Sequence, residues 1–261
     1  MASCGGSLSL PESLVDKLRD ARSIAVLTGS GVSAESGVPT FREAQTGLWE
    51  RYDPHELATP EAYQRDPKLV WEWYSWRREL VERAAPNPGH AALAELERNL
   101  IGDFVLITQN VDGLHRRAGS QHVLELHGNI MRSLCPIEEV IVEPSKDDDS
   151  IPPSCPGCGA SLRPDVVWFG EALPAEPLEE EFRAARGCDL FISAGTSGLV
   201  HPAASLPFEA LRSEAVLVEI NPNDTPLTRH ADYALRDRAG EVLPNLVAAT
   251  FGEDRKESLG R

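Results

Sequence analysis

Short apolar runs that alternate with amphipathic helical patterns predict an α/β protein, a Rossmann-like doubly wound parallel sheet with a smaller two-part inserted domain. Apolar, often β-branched runs are typical of buried parallel strands, and they occur at residues 24–27, 104–108, 123–126, 190–193, 215–220 and 233–235. Apolar positions three or four apart predict helices at residues 12–20, 67–83, 89–99 and 202–211. Two segments interrupt this alternation, and both follow a strand.

These two interruptions define the inserted domain. The first, residues 41–85, is helical and rich in aromatic residues, and the second, residues 131–163, holds three of the five cysteines and several prolines. We therefore assign residues 41–85 and 131–163 to a small domain that contains a zinc-knuckle-like module. The nucleotide-binding domain then consists of residues 1–40, 86–130 and 164–261.

Composition limits the classes of function. The chain has 261 residues, with 41 acidic against 25 basic side chains and a formal charge of −16. This balance argues against a surface that binds nucleic acid by neutralising phosphates, and it favours basic partners. No apolar run approaches the ~20 residues of a membrane-spanning helix, and no targeting segment is visible at the start of the chain. We expect a cytoplasmic protein that binds neither nucleic acid nor membranes, and the oligomeric state is left open.

A glycine-rich turn, residues 28–37, follows the first predicted strand. Glycines allow a backbone to approach a pyrophosphate, and N–H groups at a helix start favour its negative charge. A tight structural turn without a ligand gives the same pattern. A dehydrogenase would show a second strand ending in an acidic residue about 20 positions on. The chain continues instead with Val38-Pro39-Thr40-Phe41-Arg42, which disfavours hydride transfer.

Four further polar segments follow predicted strands and form a set with the glycine loop: residues 108–115 (TQNVDGLH), 126–128 (LHG), 195–197 (GTS) and 219–221 (EIN). Together with residues 29–42 they resemble the sirtuin family, in order over roughly residues 20–250. The resemblance implies an NAD-dependent protein-lysine deacylase. Such an enzyme transfers the acyl group to ADP-ribose, releases nicotinamide and frees the lysine. The implied partners are acylated-lysine proteins or peptides.

The resemblance also implies a role for each matching residue. His127 would be the general base, because an imidazole with a pKa near ~6.5 can accept a proton from a ribose hydroxyl at neutral pH. Phe41 would cover the reacting sugar carbon and exclude water. The implied cofactor-binding residues are Gly29, Ser30, Gly31, Ala34, Glu35, Phe41, Arg42, Gln109, Asn110, Asp112, Gly195, Thr196, Ser197, Asn221, Pro222, Asn223 and Ala239.

Within that set, Gln109, Asn110 and Asp112 would suit the ribose and the carboxamide of nicotinamide. Phosphate and ribose would be bound by Thr196 and Ser197, with Ser30 and Arg42 nearby. The adenosine end would be formed by Asn221, Pro222, Asn223 and Ala239. Simpler interpretations stay open. A histidine between a strand and a glycine is more often structural than catalytic, and Asp112 could simply cap a helix. The histidines His90, His115 and His122 lack a comparable context, so we expect them to be structural.

Cys155 and Cys158 have the CxxC spacing of a zinc knuckle, and Cys135 lies 20 positions before Cys155, about where the family places its first pair. The residue three positions after Cys135 is Glu138 and not a fourth cysteine. A carboxylate can bind zinc, but three thiolates with one glutamate is an uncommon structural set. We expect a structural zinc ion on Cys135, Cys155 and Cys158, with a metal-free module held by packing as the alternative.

Tyr74 and Arg77 lie three apart on the predicted helix 67–83 and therefore share one face. Aromatic helices usually pack into a core. At this place, however, the pair resembles the signature of the sirtuin branch that removes succinyl and malonyl groups. The guanidinium would pair with the distal carboxylate of the acyl group, and the tyrosine hydroxyl would add a donor. Arg78 points about 100° around the helix and should not reach the same pocket.

Residues 166–171 (VVWFGE) also match the family. Their extended backbone would pair with the substrate peptide as an added strand, with Val166 as the contact to the substrate amide. A buried strand of the sheet is the alternative interpretation.

Two other functions would use the same NAD site. An ADP-ribosyltransferase would label a protein and would not release O-acyl-ADP-ribose. A non-catalytic NAD-binding module is favoured by the altered metal site and disfavoured by the presence of His127.

Overall fold

The structure, a computed structural model, describes residues 10–39, 52–145, 147–173 and 175–252. Its strands are β1 (Ser23–Thr28), β2 (Asp103–Thr108), β3 (Val123–Glu125), β4 (Gly128–Cys135), β5 (Val140–Val142), β6 (Arg163–Val166), β7 (Leu190–Ala194), β8 (Val216–Ile220) and β9 (Tyr233–Leu235). Its α-helices are α1 (Glu12–Asp20), α2 (Ser30–Ala34), α3 (Pro54–Leu57), α4 (Pro60–Arg65), α5 (Pro67–Arg83), α6 (Pro88–Asn99), α7 (Leu114–Ala118), α8 (Ala175–Gly187), α9 (Leu206–Arg212) and α10 (Ala239–Phe251).

Six of the strands form one parallel sheet in the order β3-β2-β1-β7-β8-β9. Counted along the chain among themselves, these strands have the order 3-2-1-4-5-6, which is that of doubly wound dinucleotide-binding sheets. The predicted fold class is therefore confirmed. The direction in which strands are added reverses between β1 and β7, and ligands of such sheets bind in the crevice at this reversal.

Helices cover both faces of the large sheet because neighbouring residues of a strand point to opposite sides. In β1, Ile24 and Val26 belong to an apolar cluster with α1, α6 and α10, whereas Ala25 and Leu27 belong to a cluster with α8 and α9. A strand that is buried on both faces is apolar at successive positions. This burial explains the continuous apolar run at residues 24–27.

The first interrupting segment is helical from residue 54 onward, with its helices separated by capping residues. The N-cap residues of α4 and α5 are Thr59 and Asp66, whose side chains accept hydrogen bonds from the N–H groups of Ala62 and Leu69. Each helix has a proline in its first turn, where a missing N–H is tolerated. The second of these helices, α5, extends over 17 residues.

Across the residues that the structure describes, no helix combines the length and the apolar character that crossing a membrane requires.

The strands β4, β5 and β6 form a second, antiparallel sheet in the order β5-β4-β6. β4 begins at Gly128, immediately after His127, and Gly128 pairs with Val166 at the end of β6. The small sheet therefore starts at the crevice of the large sheet and extends slightly beyond the predicted segment 131–163. The division of the chain into two domains stays a prediction.

The predicted helix over residues 202–211 is wrong in its first half. A 3₁₀ turn (Ala203–Ser205) precedes α9, which begins at Leu206. Pro207 has no N–H to donate to the carbonyl of Ala203, so a regular α-helix cannot run through this point.

Candidate functional site

The predicted binding segments lie at one edge of the large sheet. Because its strands are parallel, their carboxyl ends meet there. The glycine loop follows β1, residues 109–112 follow β2, His127 follows β3, residues 195–197 follow β7, and Asn221 follows β8. Five segments that are distant in sequence therefore line one crevice near the reversal point.

Two glycines let the loops after β1 and β7 interlock. The Gly31 N–H donates to the Gly195 carbonyl at 2.9 Å, and a Cβ on Gly31 would lie 2.7 Å from the same oxygen. Gly195 has φ +60°, and a Cβ there would lie 2.5 Å from a main-chain nitrogen of α2. The Gly29 N–H is also bonded within the protein, to the Ala194 carbonyl at 3.1 Å. These two amides donate within the protein, and Ser30, between them, is exposed. Binding of the cofactor phosphates by this loop stays a prediction.

Gln109, Thr196 and Asn221 form a continuous polar row along the crevice. Gln109 Nε2 donates to Thr196 Oγ1 at 2.9 Å, and Asn221 Nδ2 donates to the Thr196 carbonyl at 2.8 Å. All three residues are partly exposed. The row joins residues predicted for the nicotinamide, phosphate and adenosine ends of the cofactor.

His127 is held in the tautomer that a base requires. Its Nδ1 lies 3.0 Å from the Gln109 carbonyl oxygen, and because this oxygen can only accept, Nδ1 carries the proton. Nε2 is then the nitrogen that can accept a proton. Burial lowers the pKa of His127, and the hydrogen bond to Gln109 opposes that shift. The ring is therefore neutral at physiological pH.

A buried polar network supports the loop after β2. The Ser33 hydroxyl accepts from Asn110 Nδ2 at 3.0 Å, lies 3.4 Å from His90 Nε2 and hydrogen-bonds Asp112. His90 Nδ1 accepts from the Asn87 N–H at 3.3 Å, so Nε2 carries the proton that faces Ser33. Burial lowers the pKa of His90 to about 4. Sequence spacing marks His90 as a structural histidine, and its link to the site emerges only from the packing of α6 against the glycine loop.

Asp112 bonds to the start of α7 from the position before the N-cap residue, which is Gly113. One of its carboxylate oxygens accepts from the Leu114 N–H at 2.9 Å at the start of α7. Burial raises the pKa of Asp112, and the hydrogen bonds from Leu114 and Ser33 oppose that rise. A role at the cofactor stays a prediction.

Glu35 connects the glycine loop to α10. Its carboxylate accepts from the Gly240 N–H at 3.0 Å, in the first turn of that helix. Ala239 is buried directly beside this contact. The carboxylate therefore satisfies one of the free amides at the helix start.

The other predicted cofactor residues have no polar side-chain contact that distinguishes them among the described residues. The exposed or partly exposed ones are Ala34, Ser197, Pro222 and Asn223. The predicted residues that lie outside the described part of the chain are Phe41 and Arg42.

Tyr74 and Arg77 lie beside the crevice on α5. Tyr74 is 1% exposed and packs in an apolar cluster with Trp168 and, at its edge, Val166. Trp168 Nε1 donates to the Tyr74 hydroxyl at 3.0 Å. Burial lowers the pKa of Arg77, and the nearby Tyr74 and Asp112 oppose that shift. The guanidinium is therefore electrostatically coupled both to the helix that carries it and to the loop after β2.

Arg78, the next residue of α5, binds to strand β4 of the small sheet. Its Nε donates to the Ile130 carbonyl at 2.6 Å and its Nη2 to the Arg132 carbonyl at 3.0 Å. These bonds tie α5 to β4. The prediction that Arg78 points away from the Arg77 side of the helix is confirmed.

The segment predicted to bind a peptide begins as an edge strand and ends as a turn. The Val167 N–H donates to the His127 carbonyl at 2.9 Å, and a turn follows at residues 169–170, so the extended backbone expected through residue 171 is wrong. Arg163 binds both carboxylate oxygens of Glu171, at 2.5 and 2.8 Å, and donates to the Val166 carbonyl at 2.9 Å. This ion pair bends the chain back on itself. Because amides alternate in direction along a strand, the Val166 N–H faces the open edge of β6.

Cys135, Glu138, Cys155 and Cys158 converge in the small module. Their sulfur and carboxylate oxygen atoms all lie within 4.8 Å of one another. Cys135 Sγ is 3.5 Å from Cys158 Sγ, and Cys155 Sγ is 3.2 Å from Glu138 Oε2. The three predicted ligands are therefore brought together, and the cluster with Glu138 could bind zinc.

Comparisons with known proteins agree with this geometry. The Sir2 family model matches residues 29–202. An NAD-dependent protein deacylase of Aeropyrum pernix is 53% identical over 232 residues, which cover 89% of this chain and 94% of that protein. A solved Sir2 homolog in complex with NAD is 46% identical, with a TM-score of 0.87 and coverage of 96% and 97%. A Sir2 complex with a p53 peptide and NAD⁺ is 30% identical, with a TM-score of 0.79 and coverage of 94% and 98%. The chain belongs to the Sir2 family and is an NAD-dependent protein deacylase of the sirtuin type.

Proposed function

We propose that this enzyme removes succinyl and malonyl groups from protein lysines, and acetyl groups as well. The observation that carries the proposal is the position of two side chains on one face of α5: Tyr74 is buried, and Arg77 is partly buried and electrostatically coupled to Asp112 at the crevice. An acyl group that enters from the crevice would meet a cation and a hydroxyl at its distal end. An acetyl group has no carboxylate there and would use only the apolar part of the pocket.

The surroundings favour a strong carboxylate contact. Leu57, Val70, Trp73 and Trp168 pack with Tyr74 into an apolar cluster, in which charges are poorly screened. Burial raises the pKa of Tyr74 to about 12, so its hydroxyl keeps its proton at physiological pH and can donate it. Arginine stays charged even when burial lowers its pKa. The pair therefore offers the planar fork and the additional donor that recognise a carboxylate.

The peptide portion of the substrate is assigned to the open edge of β6. The Val166 N–H faces that edge, and the Val166 carbonyl, which already accepts from Arg163, has a second lone pair for a substrate N–H. Strand addition to an edge of this kind binds a peptide through its main chain and leaves side-chain choice open. The Sir2 structure that holds a p53 peptide supports a peptide site in this family.

When bound along the polar row of Gln109, Thr196 and Asn221, NAD would supply an activated ribose carbon for the acyl oxygen, with nicotinamide as the leaving group. Nε2 of His127 then accepts the proton of a ribose hydroxyl, because its Nδ1 is already occupied by the Gln109 carbonyl. The Ser33 network holds Asn110 and Asp112 in place in the loop after β2. Phe41 is assigned the exclusion of water from the reacting carbon.

The substitution Arg77→Met tests the acyl preference. Loss of a desolvated charge pair costs about 2 to 5 kcal/mol, so kcat/KM for a succinyl peptide should fall by at least about thirtyfold, with an increased KM. The value for the matching acetyl peptide should change by less than about threefold, because acetyl makes no such pair. Both rates are measured by mass spectrometry of nicotinamide and O-acyl-ADP-ribose release.

Arg83→Met is the matched control, because Arg83 lies on the same helix, is exposed and pairs only with Glu79 at 3.2 Å among the described residues. Arg78 is unsuitable, since its removal would break two bonds to β4. Equal loss of both activities in Arg77→Met, with a lower melting temperature, would identify α5 as a purely structural helix. Transfer of ADP-ribose to the peptide in place of deacylation would favour the transferase alternative.

A further inference from the structure

The two turns that carry the cysteine cluster repeat one local structure. In the first, the Glu139 N–H donates to the Cys135 carbonyl at 2.9 Å, and in the second, the Gly159 N–H donates to the Cys155 carbonyl at 2.8 Å. Both cysteines are followed by a proline. Glu139 has φ 53° and Gly159 has φ 77°, so both turns close in the left-handed region. A non-glycine residue rarely adopts this conformation, and the repeat therefore indicates that the first turn retains the shape of a metal-binding knuckle.

In this repeat, Glu138 occupies the position that Cys158 occupies in the second turn. The Glu138 N–H lies 3.4 Å from Cys135 Sγ, the kind of amide contact that orients a thiolate in a knuckle. Its carboxylate points inward, to within 3.2 Å of Cys155 Sγ, although the residue has exposed surface available. The substitution of glutamate for cysteine has therefore kept a ligand atom at this place.

The second turn leaves room for the longer side chain. A Cβ on Gly157 would lie 2.8 Å from both carboxylate oxygens of Glu138, so any larger residue there would push the carboxylate away. Glycine at position 157 and glutamate at position 138 are thus mutually adapted.

The distances also fit a tetrahedral ion. Zinc–sulfur bonds of ~2.3 Å and zinc–oxygen bonds of ~2.0 Å place two sulfurs about 3.8 Å apart and a sulfur and an oxygen about 3.5 Å apart. The observed separations are 3.5 Å between Cys135 Sγ and Cys158 Sγ and 3.2 Å between Cys155 Sγ and Glu138 Oε2. These two pairs would widen by about 0.3 Å around an ion, and all ligand atoms of the cluster already lie within 4.8 Å of one another.

We propose that Glu138 is the fourth ligand of a structural zinc site with three thiolates and one carboxylate. The carboxylate leaves the bound site with the same formal charge as four thiolates, and it replaces one soft donor by a hard one. Zinc accepts both kinds of donor. Replacing one thiolate by a carboxylate lowers the affinity for softer ions more than the affinity for zinc. Zinc itself is bound less tightly than by four cysteines.

The experiment compares adjacent glutamates in the full-length protein. Glu138→Gln and Glu139→Gln are each stripped of metal and then titrated with zinc against a chromophoric chelator. Glu138→Gln should weaken zinc binding by at least about tenfold. Loss of a residue that only supports a metal ligand already weakens binding by about 10- to 100-fold, and loss of a ligand should cost at least as much. Glu139→Gln should bind within about twofold of wild type, because its carboxylate is not part of the cluster.

Cobalt substitution gives a second readout that does not depend on enzyme activity. Glu138→Cys should increase thiolate-to-cobalt charge-transfer absorption in the ratio of four thiolates to three and should tighten zinc binding by at least about tenfold. Zinc X-ray absorption on the unaltered protein should show three sulfurs at ~2.3 Å and one oxygen at ~2.0 Å. This measurement needs no variant, so it decides the matter even where a substitution prevents folding.

Three results would overturn the proposal. These are equal zinc affinity in Glu138→Gln and Glu139→Gln, an unchanged cobalt spectrum in Glu138→Cys, or a zinc-free wild-type protein that is folded after growth with zinc.

Discussion

The proton on His127 is positioned by a main-chain atom, the carbonyl oxygen of Gln109. No side-chain substitution at position 109 removes that oxygen. The tautomer of the base is therefore a property of the backbone after β2, whereas the neutrality of the ring at physiological pH comes from burial. A buried imidazole of this kind stays available as a base below its ordinary pKa.

His127→Ala should reduce kcat for deacylation by a factor of about 10²–10⁴, while the dissociation constant for NAD changes by less than about tenfold. The reason is that a general base lowers the barrier more than it contributes to ground-state binding. Single-turnover rates and NAD titration measure the two quantities. His122→Ala is the control, since His122 is exposed and pairs with Glu97 at 2.8 Å outside the crevice. A His127→Ala enzyme with near-normal turnover would remove this residue from the mechanism.

Local sequence patterns predicted well those residues whose role depends on near neighbours. The apolar run of β1 and the helix Glu12–Asp20 are examples, because burial on two faces or one face sets their spacing. His90 was expected to be structural, but its contact with Ser33 could not be predicted, since the two residues meet only through the packing of two distant elements. Glu138 was visible as a departure from a cysteine pair, but spacing does not say where a carboxylate points.

Among whole elements, α8 carries a feature that the site does not use. Glu181 is 0% exposed, and neither of its carboxylate oxygens has a hydrogen-bond partner among the described residues. Burial, with a smaller contribution from Glu180, raises the pKa of Glu181 to about 8 from the ordinary value of 4.5. The folded protein therefore binds one more proton than the unfolded chain between these two values.

This extra proton makes α8 a source of pH-dependent stability. The contribution of Glu181 to the free energy of unfolding is unfavourable above the unfolded pKa and worsens by up to ~1.4 kcal/mol per pH unit until the folded pKa is reached. Glu181→Gln cannot ionise, so its stability relative to wild type should increase by about 3 kcal/mol between pH 5 and pH 8. Urea unfolding at both pH values measures the difference.

The exposed neighbour Glu179 supplies the control for that measurement, because Glu179→Gln should shift stability equally at both pH values. If the difference in the free energy of unfolding between Glu181→Gln and wild type is the same at both pH values, Glu181 is already ionised and hydrated in the folded protein.

For the molecule as a whole, the formal charge of −16 acts against an acidic substrate. At physiological ionic strength, however, fields from exposed charges fade over about 8 Å, whereas a buried pair is screened much less. A local cation such as Arg77 can therefore recognise a carboxylate inside a negative protein. The same net charge favours approach of peptides with basic side chains around the acyl-lysine.

The most direct measurement is a comparison of kcat/KM of the wild-type enzyme, with NAD, for acetyl, malonyl, succinyl and glutaryl versions of one lysine peptide. Release of nicotinamide and O-acyl-ADP-ribose is followed by mass spectrometry in each case. A charge-paired pocket predicts that succinyl and malonyl peptides are turned over at least about tenfold more efficiently than the acetyl peptide. Turnover of the acetyl peptide with no detectable reaction of the acidic acyl peptides would contradict the role given to Arg77 and Tyr74.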